Sequence, residues 1–155
     1  DRINQNIAIA KRETDKQVAL LLLYLNHFKY VNDTLGHGAG DVVLCQVSHR
    51  LKEILREGDT LARLGGDEFA IVLRDCTIDQ GLDIANKIIE AVKGYTKVRN
   101  TVEFKVGVSI GITEMPNDLT EVKDMFQNVD IAMYKAKELG RNRVEIACIE
   151  HAPML

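Results

Sequence analysis

Residues 18–25, Val18-Ala19-Leu20-Leu21-Leu22-Leu23-Tyr24-Leu25, form an unbroken apolar run bounded by Gln17 and Asn26. A run this short, closed by polar residues at both ends, suits a strand buried on both faces. Such a strand needs helices above and below it. The remaining sequence supplies them. Asp41 stands at the start of a long helix that places Val43, Leu44, Val47, Leu51, Ile54 and Leu55 at helical spacing and ends at Gly58. Ile78, Leu82, Ala85, Ile88, Ile89 and Val92 trace another, stopped by Gly94. Met125, Val129, Ala132, Met133 and Ala136 trace a third from about Glu121 to Leu139, with Gly140 as its C-terminal cap. A leading helix places Ile3, Ile7, Ala8 and Ala10 on one face, and a short one spans Phe28 to Val31 before the turn residues Asn32-Asp33-Thr34 and Gly36-His37-Gly38.

Further strands are expected at Thr60 to Leu64, Glu68 to Leu73, Val102 to Ile112 and Arg143 to Ile149, with Gly107 and Gly111 marking where another element comes close. Pro116-Asn117-Asp118 reads as a loop. Strands and helices alternate except at one hairpin, which predicts a mixed sheet with helices on both faces.

That hairpin is Arg63-Leu64-Gly65-Gly66-Asp67-Glu68-Phe69. Gly-Gly between two strand-like segments suits a tight two-residue turn, whose central positions both need positive φ. A tip without side chains lets an anion such as a phosphate reach the main chain, and Asp67 and Glu68 supply the hard oxygens that Mg²⁺ prefers. The combination suggests metal-assisted phosphate chemistry; taken alone, Gly-Gly-Asp-Glu favours an ordinary acidic hairpin.

The net charge of −3 and sequence pI near 5.8 argue against bulk attraction to nucleic acid, so the expected partners are small molecules. The chain length of 155 residues suits one domain, 1–150, with 151–155 as a tail or the start of a linker. Cys45, Cys76 and Cys148 are odd in number and lie in apolar surroundings, which reads as reduced core thiols in a cytoplasmic domain. No run is long enough to span a bilayer, and the opening inside a helix reads as a domain excised from a longer protein whose parent could carry an anchor. The four histidines have no metal-ligand spacing, and the four tyrosines form no stacking platform for nucleic acid.

With these blocks in order, the sequence resembles the GGDEF domain family, the diguanylate cyclases. The likeness covers about Val18 to Ile146 and rests on Phe28-Lys29 with Val31-Asn32-Asp33, Gly36-His37 with Gly40-Asp41, Arg63 to Phe69, Val108-Ser109-Ile110-Gly111, and Ala132-Met133-Tyr134 with Ala136-Lys137 and Gly140-Arg141-Asn142. The resemblance implies a ferredoxin-like, nucleotide-cyclase type α/β fold with a mainly antiparallel central sheet. It implies condensation of two GTP into cyclic di-GMP with release of pyrophosphate, performed across a homodimer with Mg²⁺, or Mn²⁺ in its place. It also implies a sensory or phosphodiesterase domain elsewhere in the parent chain.

By the same resemblance, Asp67 and Glu68 are the catalytic acids and, with the Leu25 carbonyl, the metal ligands. Gly65 and Gly66 lie against the phosphates, Lys29, Lys137 and Arg141 bind them, and Asn32 and Asp41 read the guanine edge. Lys137 and Arg141 are four apart, so a helix extending that far points both the same way. Basic residues there also suit the helix dipole, as an acid at Asp41 suits a helix start and Asn32 suits a turn. Arg56-Glu57-Gly58-Asp59 matches the family's inhibitory product-binding site, to which Lys87 is a weaker addition.

One departure stands out. Cyclases of this family carry an Asp at the end of the first strand as partner metal ligand, with a second acid two residues on; here those positions are Tyr24 and Asn26. A neutral phenol is bulkier than a carboxylate and a poor Mg²⁺ ligand. The sequence therefore supports either a working cyclase or a domain that binds GTP or cyclic di-GMP and regulates a linked domain without efficient turnover.

Overall fold

The computed structural model describes residues 17–93, 95–98, 102–115 and 122–147. The expected leading helix, the loop at 116–118, Cys148 and the tail lie outside them. Among the described residues the strands are β1 (Val18–Asn26), β2 (Thr60–Arg63), β3 (Glu68–Leu73), β4 (Tyr95–Val98), β5 (Val102–Lys105), β6 (Gly107–Met115) and β7 (Val144–Ile146). The helices are α1 (Phe28–Leu35), α2 (His37–Ile54), α3 (Ile78–Val92) and α4 (Val122–Glu138). The main sheet has the order β2-β3-β1-β6-β7, antiparallel except for the parallel β6–β7 pair.

The apolar run is β1, at the centre of the sheet. Because successive strand residues point to opposite faces, Ala19, Leu21, Leu23 and Leu25 enter one core and Val18, Leu20 and Leu22 the other. The first core is closed by Phe28 and Val31 of α1, Val43, Leu44, Val47 and Leu51 of α2, and Ala85, Ile88, Ile89 and Val92 of α3. The second is closed by Met125, Val129, Ala132 and Met133 of α4. A strand apolar on both faces lacks the alternation that ordinarily fixes register. At its end, however, buried Ser109 donates to Asn26 Oδ1 at 3.1 Å, and one slipped residue would separate that pair.

Gly111 is where α4 meets the sheet. A Cβ there would stand 2.6 Å from the Met133 nitrogen and closer still to the Val129 carbonyl oxygen. Glycine therefore sets the distance between sheet and helix, as expected at this position. At Gly107 the space of a side chain is filled by Asn142, whose Oδ1 accepts from the Val108 N–H at 3.1 Å.

Several boundaries differ from expectation. The stretch expected as one strand over Val102 to Ile112 is divided at Val106, and the unforeseen β4 pairs with β5 as a separate two-stranded sheet. The long helix begins at His37 and ends at Ile54, because Gly36, at φ 89°, breaks the chain before it and Leu55 is already extended. Asp41 therefore falls beyond the first turn, where the dipole argument loses its force. Asn32 lies inside α1 rather than in a turn, its carbonyl accepting from the Gly36 N–H at 2.8 Å. Cys76 is a buried thiol, but Cys45 is exposed on the outer side of α2, opposite Val43 and Val47.

Candidate functional site

The signature hairpin is built differently from a two-residue turn. Leu64 N–H donates to the Glu68 carbonyl at 2.9 Å, which leaves Gly65, Gly66 and Asp67 as a three-residue tip. Neither glycine has positive φ, so the conformational argument for Gly-Gly is overturned. The wider loop removes the need for mirror-image turn geometry. What survives is access: a Cβ on Gly65 or Gly66 would meet nothing within 4 Å. Arg63 reaches over the tip, its Nε donating to the Gly65 carbonyl at 2.9 Å and its guanidinium also to Gly66 at 3.3 Å.

The tip is fastened to the end of β1 by Leu25 N–H donating to the Asp67 carbonyl at 2.8 Å. A strand residue's N–H and C=O point to the same side, so the Leu25 carbonyl is also directed toward the tip. Tyr24 pairs with Glu68 across β1 and β3 and shares its face of the sheet. The α4 side of that face carries Lys137, whose ammonium sits 3.6 Å from the Tyr24 ring centroid and 4.8 Å from that of Tyr134. These are cation–π distances.

The electrostatics are tightly shared. Burial pushes the Tyr24 hydroxyl above its ordinary pKa, and the nearby Asp67 carboxylate adds to the rise while Arg141 opposes it. Burial likewise raises Glu68, reinforced by Asp130 and Asp67 and opposed by Lys137. Tyr24, Asp67, Glu68, Lys137 and Arg141 thus form one cluster. Arg141 does not reach it as a helical residue. α4 stops at Glu138, and Gly140, Arg141 and Asn142 follow in left-handed conformation, with Arg141 N–H returning to the Ala136 carbonyl at 2.9 Å. The helix stops short of the extension that an i,i+4 pairing with Lys137 required; the helix cap, not the helix, brings Arg141 round.

Asn32 and Asp41 are neighbours through Gly40. A Cβ on Gly40 would overlap Asn32 Oδ1, and that oxygen is buried with no donor from the chain among the described residues. An acceptor of this kind suits a ligand N–H. Asp41 is exposed beside it, and Lys29 is exposed three residues before Asn32 on α1.

Arg56 and Asp59 lie at the other end of the hairpin, roughly 20 Å from the tip by strand rise. They hold one another: Asp59 accepts from the Arg56 main chain at 2.9 Å and from its guanidinium at 3.0 and 3.2 Å, and from the Arg74 N–H at 3.3 Å. The guanidinium also donates to the Arg74 carbonyl. Its side chain is half exposed, whereas that of Asp59 is 1% exposed. Lys87 is exposed on α3.

Residues expected to hold a divalent cation fit it poorly. Among the described residues, no group of three or more His, Cys, Asp or Glu side chains is arranged to hold a metal ion. The neutral phenol of Tyr24 stands beside Asp67, and Glu68 shares its surroundings with Lys137. Sequence reasoning singled out Tyr24 but missed the Lys137 ammonium over its ring. Strand parity, which puts Tyr24 on the face that α4 covers, was the available signal.

The chain matches the family described as "Diguanylate cyclase, GGDEF domain" over residues 1–143. It is 39% identical over 133 residues to "Probable diguanylate cyclase DgcE" of Escherichia coli K12, covering 86% of this chain and 12% of that one. It is 37% identical over 142 residues to "Bifunctional diguanylate cyclase/cyclic di-GMP phosphodiesterase MucR" of Pseudomonas aeruginosa, covering 92% of this chain and 20% of that one. The chain thus spans well under half the length of these curated relatives. Its structure is similar to the crystal structure of the GGDEF domain of YfiN, also called TpbB, from Pseudomonas aeruginosa, with TM-score 0.86, 33% identity and coverage of 96% and 92%. Members of this family generally use Mg²⁺ and bind GTP and cyclic di-GMP. Fold, ordered sequence blocks and these similarities agree: the chain belongs to the GGDEF domain family of diguanylate cyclases.

Proposed function

We propose that this domain is a guanine-nucleotide site of a diguanylate cyclase, taking GTP as one half of a paired active site. The observation that carries the reading is the approach of the open Gly65–Gly66 tip to the end of β1, beside Lys137 and Arg141. Lys29, Lys137 and Arg141 would carry the triphosphate charge, and Asn32 Oδ1 with the Asp41 carboxylate would accept from the guanine N–H groups. In a homodimer the 3′-hydroxyl of each GTP attacks the α-phosphorus of the other. Two P–O bonds form, two bonds to pyrophosphate break, and cyclic di-GMP results. The assigned Mg²⁺ or Mn²⁺ ligands, Asp67, Glu68 and the Leu25 carbonyl, present an incomplete donor set, so no step is assigned to an ion.

A second reading follows from the placement of Tyr24, a neutral phenol at the end of β1 beside the principal acid Asp67. It favours a domain that binds GTP or cyclic di-GMP and regulates a linked domain, such as the phosphodiesterase named in MucR, without efficient turnover. Arg56 and Asp59, with Lys87, are proposed as a product site, which would use the exposed guanidinium while Asp59 stays locked. The proposed location of the domain is the cytoplasm.

The test is calorimetry with GTP and with cyclic di-GMP, each with and without Mg²⁺, on a preparation shown to be dimeric, followed by chromatography. Cyclic di-GMP formed from GTP supports the cyclase. Binding without product supports the regulator, and binding of neither overturns both.

A further inference from the structure

We propose that Tyr24 and Lys137 stand in for the divalent cation at Asp67, so that this domain takes guanine nucleotide in a metal-independent manner. The inference rests on the guanine-nucleotide reading of the site and adds how that site balances its charge.

A metal ion at Asp67 must bind through carboxylate lone pairs, and Tyr24 stands beside them: Leu25 N–H donates to the Asp67 carbonyl at 2.8 Å, and Tyr24 pairs with Glu68 across the two strands. The phenol cannot simply turn aside. Its ring is held between the sheet and the Lys137 ammonium, 3.6 Å from the centroid, and it packs against the core formed by α4. Nor is the phenol a substitute ligand, since at neutral pH it is uncharged and presents a proton where a cation requires an anionic oxygen.

Positive charge is nevertheless present. Lys137 stands over the Tyr24 ring at 3.6 Å, and the turn that caps α4 folds the chain back at Arg141, whose N–H donates to the Ala136 carbonyl at 2.9 Å. The cluster therefore sets two fixed cations, Lys137 and Arg141, against the carboxylates of Asp67 and Glu68, with Asp130 facing Glu68 from α4. An incoming triphosphate meets cations carried by the chain itself. Ammonium and guanidinium groups bind phosphate oxygens directly, without dissolved metal. A divalent ion placed at Asp67 would be repelled by the ammonium stacked on the adjacent ring. Asn26 extends the same substitution. It is buried, accepts from Ser109, and brings a neutral amide where a second carboxylate would add the negative charge that a metal needs.

The experiment compares the whole domain with its Tyr24→Asp variant by two readouts. In the first, Mn²⁺ is titrated into nucleotide-free protein and the free ion is followed by electron paramagnetic resonance. The variant should bind Mn²⁺ about tenfold or more tightly than the native domain. In the second, a non-hydrolysable GTP analogue is titrated calorimetrically in Mg²⁺ and in EDTA. The native Kd should change by less than about threefold between buffers and the variant's by about tenfold or more. If Tyr24→Asp fails to fold by circular dichroism, Tyr24→Asn replaces it, removing the phenol and offering a neutral oxygen ligand.

Equal Mn²⁺ affinity in native and variant protein would overturn the proposal, as would loss of native nucleotide binding in EDTA. Failure of both proteins to bind the analogue in either buffer would instead overturn the guanine-nucleotide reading. In that event the Mn²⁺ titration still decides whether Tyr24 displaces the ion: a difference upholds that displacement and no difference overturns it.

Discussion

Replacing Gly111 by alanine tests whether the spacing between sheet and α4 builds the site. The added methyl would stand 2.6 Å from the Met133 nitrogen and 3.1 Å from its Cα, against the 3.4 to 4 Å of ordinary contact. The obstacle is backbone, so no rotamer change relieves it, and α4 must retreat by about 1 Å. A radial gap of 0.5–1 Å already forfeits a quarter to a half of each dispersion contact, and Met125, Val129, Ala132 and Met133 all face the sheet across that gap. Overpacking ordinarily costs 1–3 kcal/mol, and rigid neighbours place this case at about 3 kcal/mol. For a domain of this size that lowers Tm by roughly 6–12 °C. The same retreat lifts Lys137 away from Tyr24, so affinity for a GTP analogue should fall together with stability. Urea and thermal unfolding by circular dichroism measure the first effect, and calorimetry the second. Gly65→Ala is the control, since its Cβ enters open space and its φ is not positive; its stability should stay within about 0.5 kcal/mol of native. A Gly111→Ala domain melting within 2 °C of native, roughly 1 kcal/mol or less, would refute the reasoning.

Three further outcomes are expected. Asn32→Ala removes an oxygen that no group among the described residues satisfies, so thermal stability should move by less than about 0.5 kcal/mol while calorimetric affinity for GTP falls at least about tenfold. Glu68 has its pKa raised from 4.5, first by burial and then by Asp130 and Asp67, so the folded state holds its proton more tightly than the unfolded one. Its contribution to stability is full below pH 4.5 and declines as pH rises through the folded value; Glu68→Gln should therefore melt higher than native at pH 7, with the gap closing on acidification below about pH 4.5. Asp59→Asn weakens bonds to the Arg56 side chain and to the Arg56 and Arg74 N–H groups, and should cost about 1–2 kcal/mol in urea unfolding without changing nucleotide affinity at the hairpin tip.

Much of this fold was legible because apolar spacing is a local property. The run Val18 to Leu25 marked the central strand, the helical rows of α2, α3 and α4 marked its covers, and Gly111 marked the close approach of a neighbour. The family blocks proposed the site residues in their linear order. Tertiary structure decided the rest, since spatial placement depends on partners distant in sequence. Leu64 closing onto Glu68 made the tip three residues long, so the glycines serve access rather than turn geometry. The left-handed cap from Gly140 to Asn142, not helical periodicity, carried Arg141 to the cluster. Only the pairing of β1 with β3, under α4, put Tyr24 beside the acids of the tip with Lys137 over its ring. The identities of residues 24, 67 and 137 were readable from the start, but their contact joins three elements, and no local pattern encodes it.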